Sequence, residues 1–415
     1  MKVALVYPNS QKKENQGPGY IASAVMDAGH TLDFYDEIYT PFTDDLVREV
    51  VDNHDVVLLS ALTLYFPVAV DFAQRVKALC PEMPILLGGL HATVLPDVAL
   101  SNTCFDYICV GEGEEFIVEF LNKLGNATAL QEVANLGYRN DDGTTTINPP
   151  RPAQSLDTLP RYRREIYRDE SIVHGRPFPA FMYVYASRGC PYRCSYCANQ
   201  CYLNLYGKKY IRTMDPELVV QELIWLRNRY DVRSLYFGDE MLLANREYCE
   251  QLLPAIHSRV RLPYGCMARV EQITPDLVNL FRKTGCQHIG MGVECGDEKY
   301  RNEVLNRKMS NATIINAFQQ LKHGLPDVSL TAFCMRGWPT PKDGEMLEKT
   351  RKLVDQIQPT IRQLNTFFPF PGTKLYDYCV EHDMIDWNLY NKKRNLVGPS
   401  VLKMYREEQA DVKTS

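Results

Sequence analysis

Three cysteines fall within eight residues, Cys190-Pro-Tyr-Arg-Cys194-Ser-Tyr-Cys197. Thiolates at this spacing can close on three corners of a four-iron [4Fe-4S] cluster and leave the fourth iron without a protein ligand. Iron–sulfur clusters are ordinarily held by four thiolates, so a C-x3-C-x2-C triplet with no matching fourth partner points to a cluster that binds something else. A closed zinc site would want a second CxxC or a CxxC/His pair, and Cys201 follows at a spacing that fits no zinc pattern. Gly189, Pro191 and Tyr196 make the segment a loop, which argues against three crowded core thiols.

The remaining cysteines read differently. Cys80, Cys104, Cys109, Cys249, Cys286, Cys334 and Cys379 lie in apolar periodic segments, the setting of packed core thiols. Thirteen cysteines without an export signal argue for reduced thiols plus a metal centre and against a disulfide framework. Met1 to Val6 is too short for a signal peptide and leads directly into a strand, and no apolar run approaches the ~18 residues a membrane helix needs. A cytoplasmic protein with no membrane partner is expected. A formal net charge of -5, with no basic stripe interleaved with aromatics, argues against a nucleic-acid partner.

The elements that must position the triplet fall into two runs. Up to about residue 124, short apolar strands (Val3–Val6, Thr31–Tyr35, Val56–Leu59, Pro84–Leu87, Tyr107–Val110) alternate with amphipathic helices, the pattern of an α/β doubly wound (Rossmann-like) parallel sheet. Such a sheet binds ligands at the carboxyl ends of its strands. The small residues gather there: Gly17-Pro18-Gly19, Ser60 to Thr63, Gly88-Gly89 and Gly111-Glu112-Gly113-Glu114. Residues 125–180 read as a linker with a small hairpin turning at Asp141-Asp142-Gly143. From 181 to 385 the alternation resumes with six strands and six crossovers, too few for a closed eight-stranded barrel. A partial (β/α)6 barrel is expected, followed by a charged, aperiodic tail over 386–415.

Arg188-Gly189-Cys190 through Cys197, preceded by a strand and followed by six βα units, resembles the radical S-adenosylmethionine (SAM) superfamily. The N-terminal sheet resembles the cobalamin-binding domain of its class B members. The resemblance implies that Cys190, Cys194 and Cys197 hold the cluster. It also implies that SAM chelates the open iron through its amino and carboxylate groups, and that one electron, from a donor such as flavodoxin or ferredoxin, cleaves SAM to a 5′-deoxyadenosyl radical. By the same resemblance Tyr196 lies beside the adenine and Gly238-Asp239-Glu240 receives the methionine ammonium, where acidic oxygens suit the donor; helix capping is the competing role for Asp239. Arg269 faces the SAM carboxylate, and Gly292 and Glu294 lie beside the adenosine. Loops at Gly337–Thr340 and Pro369–Thr373 shape the mouth.

For cobalamin the resemblance assigns Gly17, Gly19, Ser60 to Thr63, Gly88, Gly89 and Gly111-Glu112-Gly113-Glu114 to the nucleotide tail and corrin edge. No Asp-x-His-x-x-Gly segment supplies a cobalt-binding histidine, since His30 sits at a helix-to-strand turn on the far side of the sheet. Leu62, Thr63, Leu64 and Tyr65 are therefore expected beneath the corrin. His91 reads either as a contact to its periphery or as a solvent-facing loop residue. The resemblance implies a methyltransferase that passes a methyl from methylcobalamin to an unactivated carbon of a small molecule. An oxidative cyclase or rearranging enzyme of the same class is the second reading, and a non-catalytic corrinoid or redox module the third. A methylthiotransferase fits poorly, because Cys80, Cys104 and Cys109 lack a cluster-like setting and the tail is short for an RNA-binding barrel. Tyr202, Tyr206, Tyr210, Trp338 and Phe370 are candidate lining for the substrate pocket.

Overall fold

The computed structural model describes residues 1–175 and 180–405; residues 406–415 of the expected tail and 176–179 of the expected linker lie outside it. Strands β1 (Lys2–Tyr7), β2 (Thr31–Asp36), β3 (Val56–Ser60), β4 (Ile85–Gly88) and β5 (Tyr107–Cys109) form a parallel sheet in the order 2-1-3-4-5. Helices Gln16–Asp27 and Glu114–Lys123 cover one face through Ala22, Val25, Phe116 and Phe120, while Asp44–Asn53 and Phe66–Leu79 cover the other through Val47, Val50, Phe72 and Val76. Both faces are therefore dry, which is why the strands read as continuous apolar runs.

The hairpin expected in the linker belongs to this sheet. Strands β6 (Leu136–Arg139) and β7 (Thr145–Ile147) continue it antiparallel, with Cys109 opposite Leu136, and so pair an edge that β5 would otherwise expose. After it the short strand β8 (Val173–His174) runs antiparallel to β9 (Phe181–Val184), the first strand of a second sheet. That sheet continues through β12 (Ser234–Phe237), β13 (Tyr264–Ala268), β14 (Cys286–Glu294), β15 (Ser329–Arg336) and β16 (Ile361–Thr366), all parallel to β9. Between β9 and β12 an excursion is tied off at its base by β10 (Ser187–Arg188) pairing antiparallel with β11 (Arg212–Thr213). Six parallel strands curl into the expected half-barrel.

Five helices pack on its outer face, through Val220, Leu252, Phe281, Phe318 and Leu353 among others. Their starts are written locally: Asp215, Thr274 and Ser310 accept hydrogen bonds from the first-turn N–H groups of the helices that follow. The alternation then sets the inner face. Met182 and Val184 point into the outer core, so Phe181, Tyr183 and Tyr185 face the lumen.

The segment after the barrel is better ordered than its composition indicated. Val401 and Leu402 are buried, Ile385 bridges Leu402, and Arg394 pairs with Glu37 of the first domain at 2.7 Å. Residues 155–172 clamp the first domain from the other side. Arg164 and Glu14 form an ion pair with almost no solvent exposure, Tyr162 donates to the same carboxylate at 3.2 Å, and Tyr167 donates to the Asn15 carbonyl at 2.7 Å. Replacing Arg164 with leucine would strand the buried carboxylate and is expected to cost about 3–5 kcal/mol. The double change Glu14→Leu/Arg164→Leu should recover most of that loss; equal urea midpoints for Arg164→Leu and the parent would contradict the assignment.

Candidate active site

Eight residues cannot fix three thiols by themselves, and the loop is anchored from several sides. Gly189 turns it at φ +100°, where a Cβ would meet the Tyr210 carbonyl at 2.9 Å, and the Gly189 N–H donates to Glu240 at 3.2 Å. Inside the loop the Cys197 N–H donates to the Cys194 carbonyl at 3.1 Å, and the Gln200 amide donates to the same oxygen. From the opposite wall Ser195 donates its N–H to Leu305 (3.1 Å) and its hydroxyl to Val304 (2.6 Å), while its carbonyl accepts from Leu375 (3.0 Å).

Two guanidinium groups converge on Cys194. Nη1 of Arg269 lies 3.7 Å from its Sγ and Nη1 of Arg307 lies 3.8 Å away. Arg269, at the end of β13, sits 3.8 Å over the Tyr192 ring and pairs with Glu271. Arg307 donates to the Tyr196 hydroxyl at 3.1 Å and to the Gly292 carbonyl at 2.8 Å, and pairs with Glu294 at 3.4 Å. A side chain at Gly292 would overlap both Arg307 and Glu294. Glu294 occupies left-handed backbone (φ +62°) at an irregularity in β14, a conformation a non-glycine residue keeps only when its surroundings hold it there. Burial pushes its carboxyl up and Arg307 pulls it back down.

Burial likewise pushes the Cys190 thiol up and that of Cys197 up to about 12, so both keep their protons until a metal displaces them. No three His, Cys, Asp or Glu side chains among the described residues converge on a point that a single ion would take. Three thiols on one loop, with arginines against the middle one, suit a polynuclear iron–sulfur cluster of net negative charge.

Asp239 departs from the expectation. Its Oδ1 accepts from the Ala186 N–H (3.0 Å) and the Ser187 hydroxyl (2.5 Å), and its Oδ2 is buried without a partner among the described residues. Asp239 is thus committed to the base of the cysteine loop, whereas Glu240 lines the cleft at the carboxyl ends of the first sheet. Gly238 lies against the Tyr185 ring. Tyr196 meets Trp338 edge-on at 5.7 Å, and Trp338 is buried in an apolar cluster with Phe367 and Phe368.

At the carboxyl ends of the first sheet a cleft holds about 1210 Å³ of empty space, its open mouth included. Gly17, Ser60, Leu62, Gly88, Gly89, Gly111, Glu112, Gly113 and Glu114 line its rim as expected. Gly89 is required at φ +91°, since a Cβ would lie 2.8 Å from the Ala61 carbonyl. Behind the rim an apolar slot runs between the sheet and two helices, walled by Leu5, Leu58, Leu86, Ile21, Phe116 and Ile117. Sequence reasoning missed the slot because its wall residues read as ordinary core.

Five nominated residues do not line this cleft. Gly19 packs under the Tyr162 ring. Thr63, Leu64 and Tyr65 form a short turn: the Thr63 hydroxyl meets His91 Nδ1 at 3.3 Å, while Leu64 and Tyr65 pack into an apolar cluster with Trp338 and Phe368 of the second domain. His91 is neither exposed nor at the rim, being buried in the short helix Leu90–Val94 with its ring stacked 3.7 Å from Phe66. Burial lowers its pKa to about 4, so it is neutral.

The two halves of the site touch. Arg188, two residues before Cys190, donates to Glu112 at 3.1 Å and to Glu114 at 2.6 Å, and Arg212 donates to Glu112 at 3.1 Å. Burial alone would raise the Glu114 carboxyl, but Arg188 holds it below its ordinary value. Tyr202 and Tyr210, stacked at 5.0 Å, line the cleft, and the Tyr206 hydroxyl accepts from the Glu112 N–H at 2.7 Å. These tyrosines therefore belong to the junction with the first domain. Phe370, half-buried, meets Phe368 edge-on at 4.9 Å. Arg307 and Tyr192 had no periodic or motif signal; only their approach to Cys194 and Arg269 in space reveals them.

Residues 184–349 match the Radical SAM superfamily and residues 14–121 the B12 binding domain. The chain thus carries a B12 binding domain followed by a radical SAM domain. It is 24% identical over 425 residues to an uncharacterized methyltransferase of Pyrococcus horikoshii, a match covering 99% of this chain and 90% of that one. Against the anaerobic magnesium-protoporphyrin IX monomethyl ester cyclase of Rubrivivax gelatinosus it is 25% identical over 426 residues, covering 97% and 74%. Its fold is similar to that of the radical S-adenosylmethionine methyltransferase TsrM from Kitasatospora setae, solved with cobalamin and a [4Fe-4S] cluster bound, with a TM-score of 0.70 and 13% identity over 92% of this chain and 75% of that one. No helix among the described residues is long and apolar enough to cross a membrane.

Burial raises the Asp239 pKa to about 7. The folded state therefore binds a proton that the unfolded state releases near pH 4, and stability falls as pH rises between those values. Relative to Asp239→Asn, the parent is expected to lose up to about 4 kcal/mol from pH 4 to pH 7. Parallel stability–pH curves for the two proteins would rule this out.

Proposed function

We propose that this chain is a cobalamin-dependent radical SAM methyltransferase that places a methyl group on an unactivated carbon of a small molecule. When bound, the cluster with SAM would supply a 5′-deoxyadenosyl radical and the corrinoid a transferable methyl group. The observation that carries the reading is the bridge from Arg188 to Glu112 and Glu114, which makes the cysteine loop and the cleft rim one structural unit. In this reading two cofactor sites so joined would face a shared space, where the protein's contribution is proximity and exclusion of water.

In this reading Cys190, Cys194 and Cys197 ligate iron. Arg269 and Arg307 offset charge at Cys194 and stand where a carboxylate would find a guanidinium partner. Glu240 is the acidic oxygen available to an ammonium, in place of the committed Asp239. Tyr196, Gly292 and Glu294 form the wall beside the nucleoside. At the first domain the glycine rim admits a corrin edge, and the apolar slot behind Leu58 and Leu86 suits the flat heteroaromatic base of a nucleotide tail. His91 is buried and neutral, and in this reading Leu62 would lie against the corrin in place of a histidine. The likeness to the Rubrivivax cyclase supports a second reading, a radical cyclase of the same class.

Cys194→Ala is expected to lose iron and all 5′-deoxyadenosine formation while keeping its bound corrinoid, because the cleft does not include Cys194. Retention of SAM cleavage in this variant would sink both readings. Incubation of the parent with a metabolite extract and methyl-labelled SAM separates them: label in a new product supports methyl transfer, and 5′-deoxyadenosine without transferred label supports the cyclase.

A further inference from the structure

We infer that Lys13 forms a binding site for an anionic oxygen group, carboxylate or phosphate, carried by the small-molecule substrate. The inference rests on the proposed function above and adds that the substrate enters the half-barrel lumen. The loop after β1 crosses the open side of the half-barrel. At one end the Glu14 N–H donates to Ser171 at 2.9 Å, beside β8, and its carboxylate is held by Arg164. At the other end the Ser10 hydroxyl donates to the Arg394 carbonyl at 3.0 Å, in a segment whose Leu396 and Gly398 carbonyls accept from Thr366 at the end of β16. The loop thus spans the gap between the two edges of the second sheet.

Its residues divide between two sides. Asn15, Gln16 and Gly17 line the cleft of the first domain. Lys13 does not; its Nζ lies 3.8 Å from the centroid of Tyr183, on the lumen side of β9. No carboxylate or carbonyl of the described residues accepts a hydrogen bond from that Nζ, and the neighbouring Glu14 is spent on Arg164 and Tyr162. An ammonium has three donors to fill, and an aromatic face satisfies none of them as a hydrogen bond.

His174 stands in the same wall, edge-on to Tyr183 at 5.3 Å, and its Nε2 is buried without a partner among the described residues. Burial lowers the pKa of Lys13, and burial together with the Lys13 charge lowers that of His174. An incoming oxyanion supplies the charge this corner lacks. Farther along the same inner face Met267 of β13 is 36% exposed, and Thr331 of β15 meets His288 of β14 at 3.2 Å. The site therefore fits a molecule with one anionic end.

Competitive acetylation of the reconstituted full-length protein with isotope-labelled acetic anhydride reads Lys13 directly, with benzoate, inorganic phosphate or neutral benzamide present. Protection of Lys13, with no protection of Lys2 or Lys12, should reach about threefold when the anion is at twice its dissociation constant. Protection by benzoate assigns a carboxylate, protection by phosphate assigns a phosphate, and either supports the site. The anion should also raise the thermal midpoint of the parent and of Lys13→Arg, and leave that of Lys13→Met unmoved. No protection by either anion, equal protection by benzamide, or an undiminished midpoint shift in Lys13→Met would overturn the inference. Iron content measured in the same samples keeps the two readings separate, since loss of iron contradicts the radical chemistry and leaves the anion result standing.

Discussion

The controlling constraint is that one short loop must present three thiols while leaving space beside them for a molecule that is not protein. Such a loop has too few residues to hold its own shape, so most of its anchors come from elsewhere: Asp239 and Glu240 beneath its base, Val304, Leu305 and Leu375 across from Ser195, and the β10–β11 pair behind it. The half-barrel makes this arrangement possible. Its strands end on one rim, so residues far apart in sequence, such as Arg269 and Arg307, meet the same sulfur.

Electrostatics then couples that rim to the first domain. Four charges, Arg188, Arg212, Glu112 and Glu114, lie at the junction, each with only 10–18% of its side chain exposed. Buried ion pairs of this kind add little net stability, because desolvation opposes their attraction; what they fix is orientation. Here they orient the segment leading into Cys190 against the loop that closes the cleft. The Arg164–Glu14 pair does the same for the loop after β1, holding Asn15 to one side and Lys13 to the other.

Where local pattern determines structure, the sequence was legible. The βα alternation, the glycine-rich turns at the first rim and the cysteine spacing each depend on near neighbours in the chain, and the half-barrel and the rim of the cleft appear as expected. Tertiary context overrode the reading at specific residues. His91 follows a strand at the correct rim, but a short helix turns its ring onto Phe66. Asp239 follows the correct strand, yet the buried Ala186 N–H and the Ser187 hydroxyl claim its Oδ1. The hairpin at 136–147 looked like a linker because nothing local announces which edge it will pair with. Arg307 and Lys13 carried no motif at all, since their significance depends on what the fold brings to them.

The most direct test of the account is electron paramagnetic resonance of the anaerobically reconstituted, dithionite-reduced protein before and after addition of SAM. A cluster held by Cys190, Cys194 and Cys197 with one iron free of protein ligands should give a reduced [4Fe-4S] signal whose g-values shift when SAM is added. A protein that takes up no iron, or a cluster signal indifferent to SAM, would contradict it.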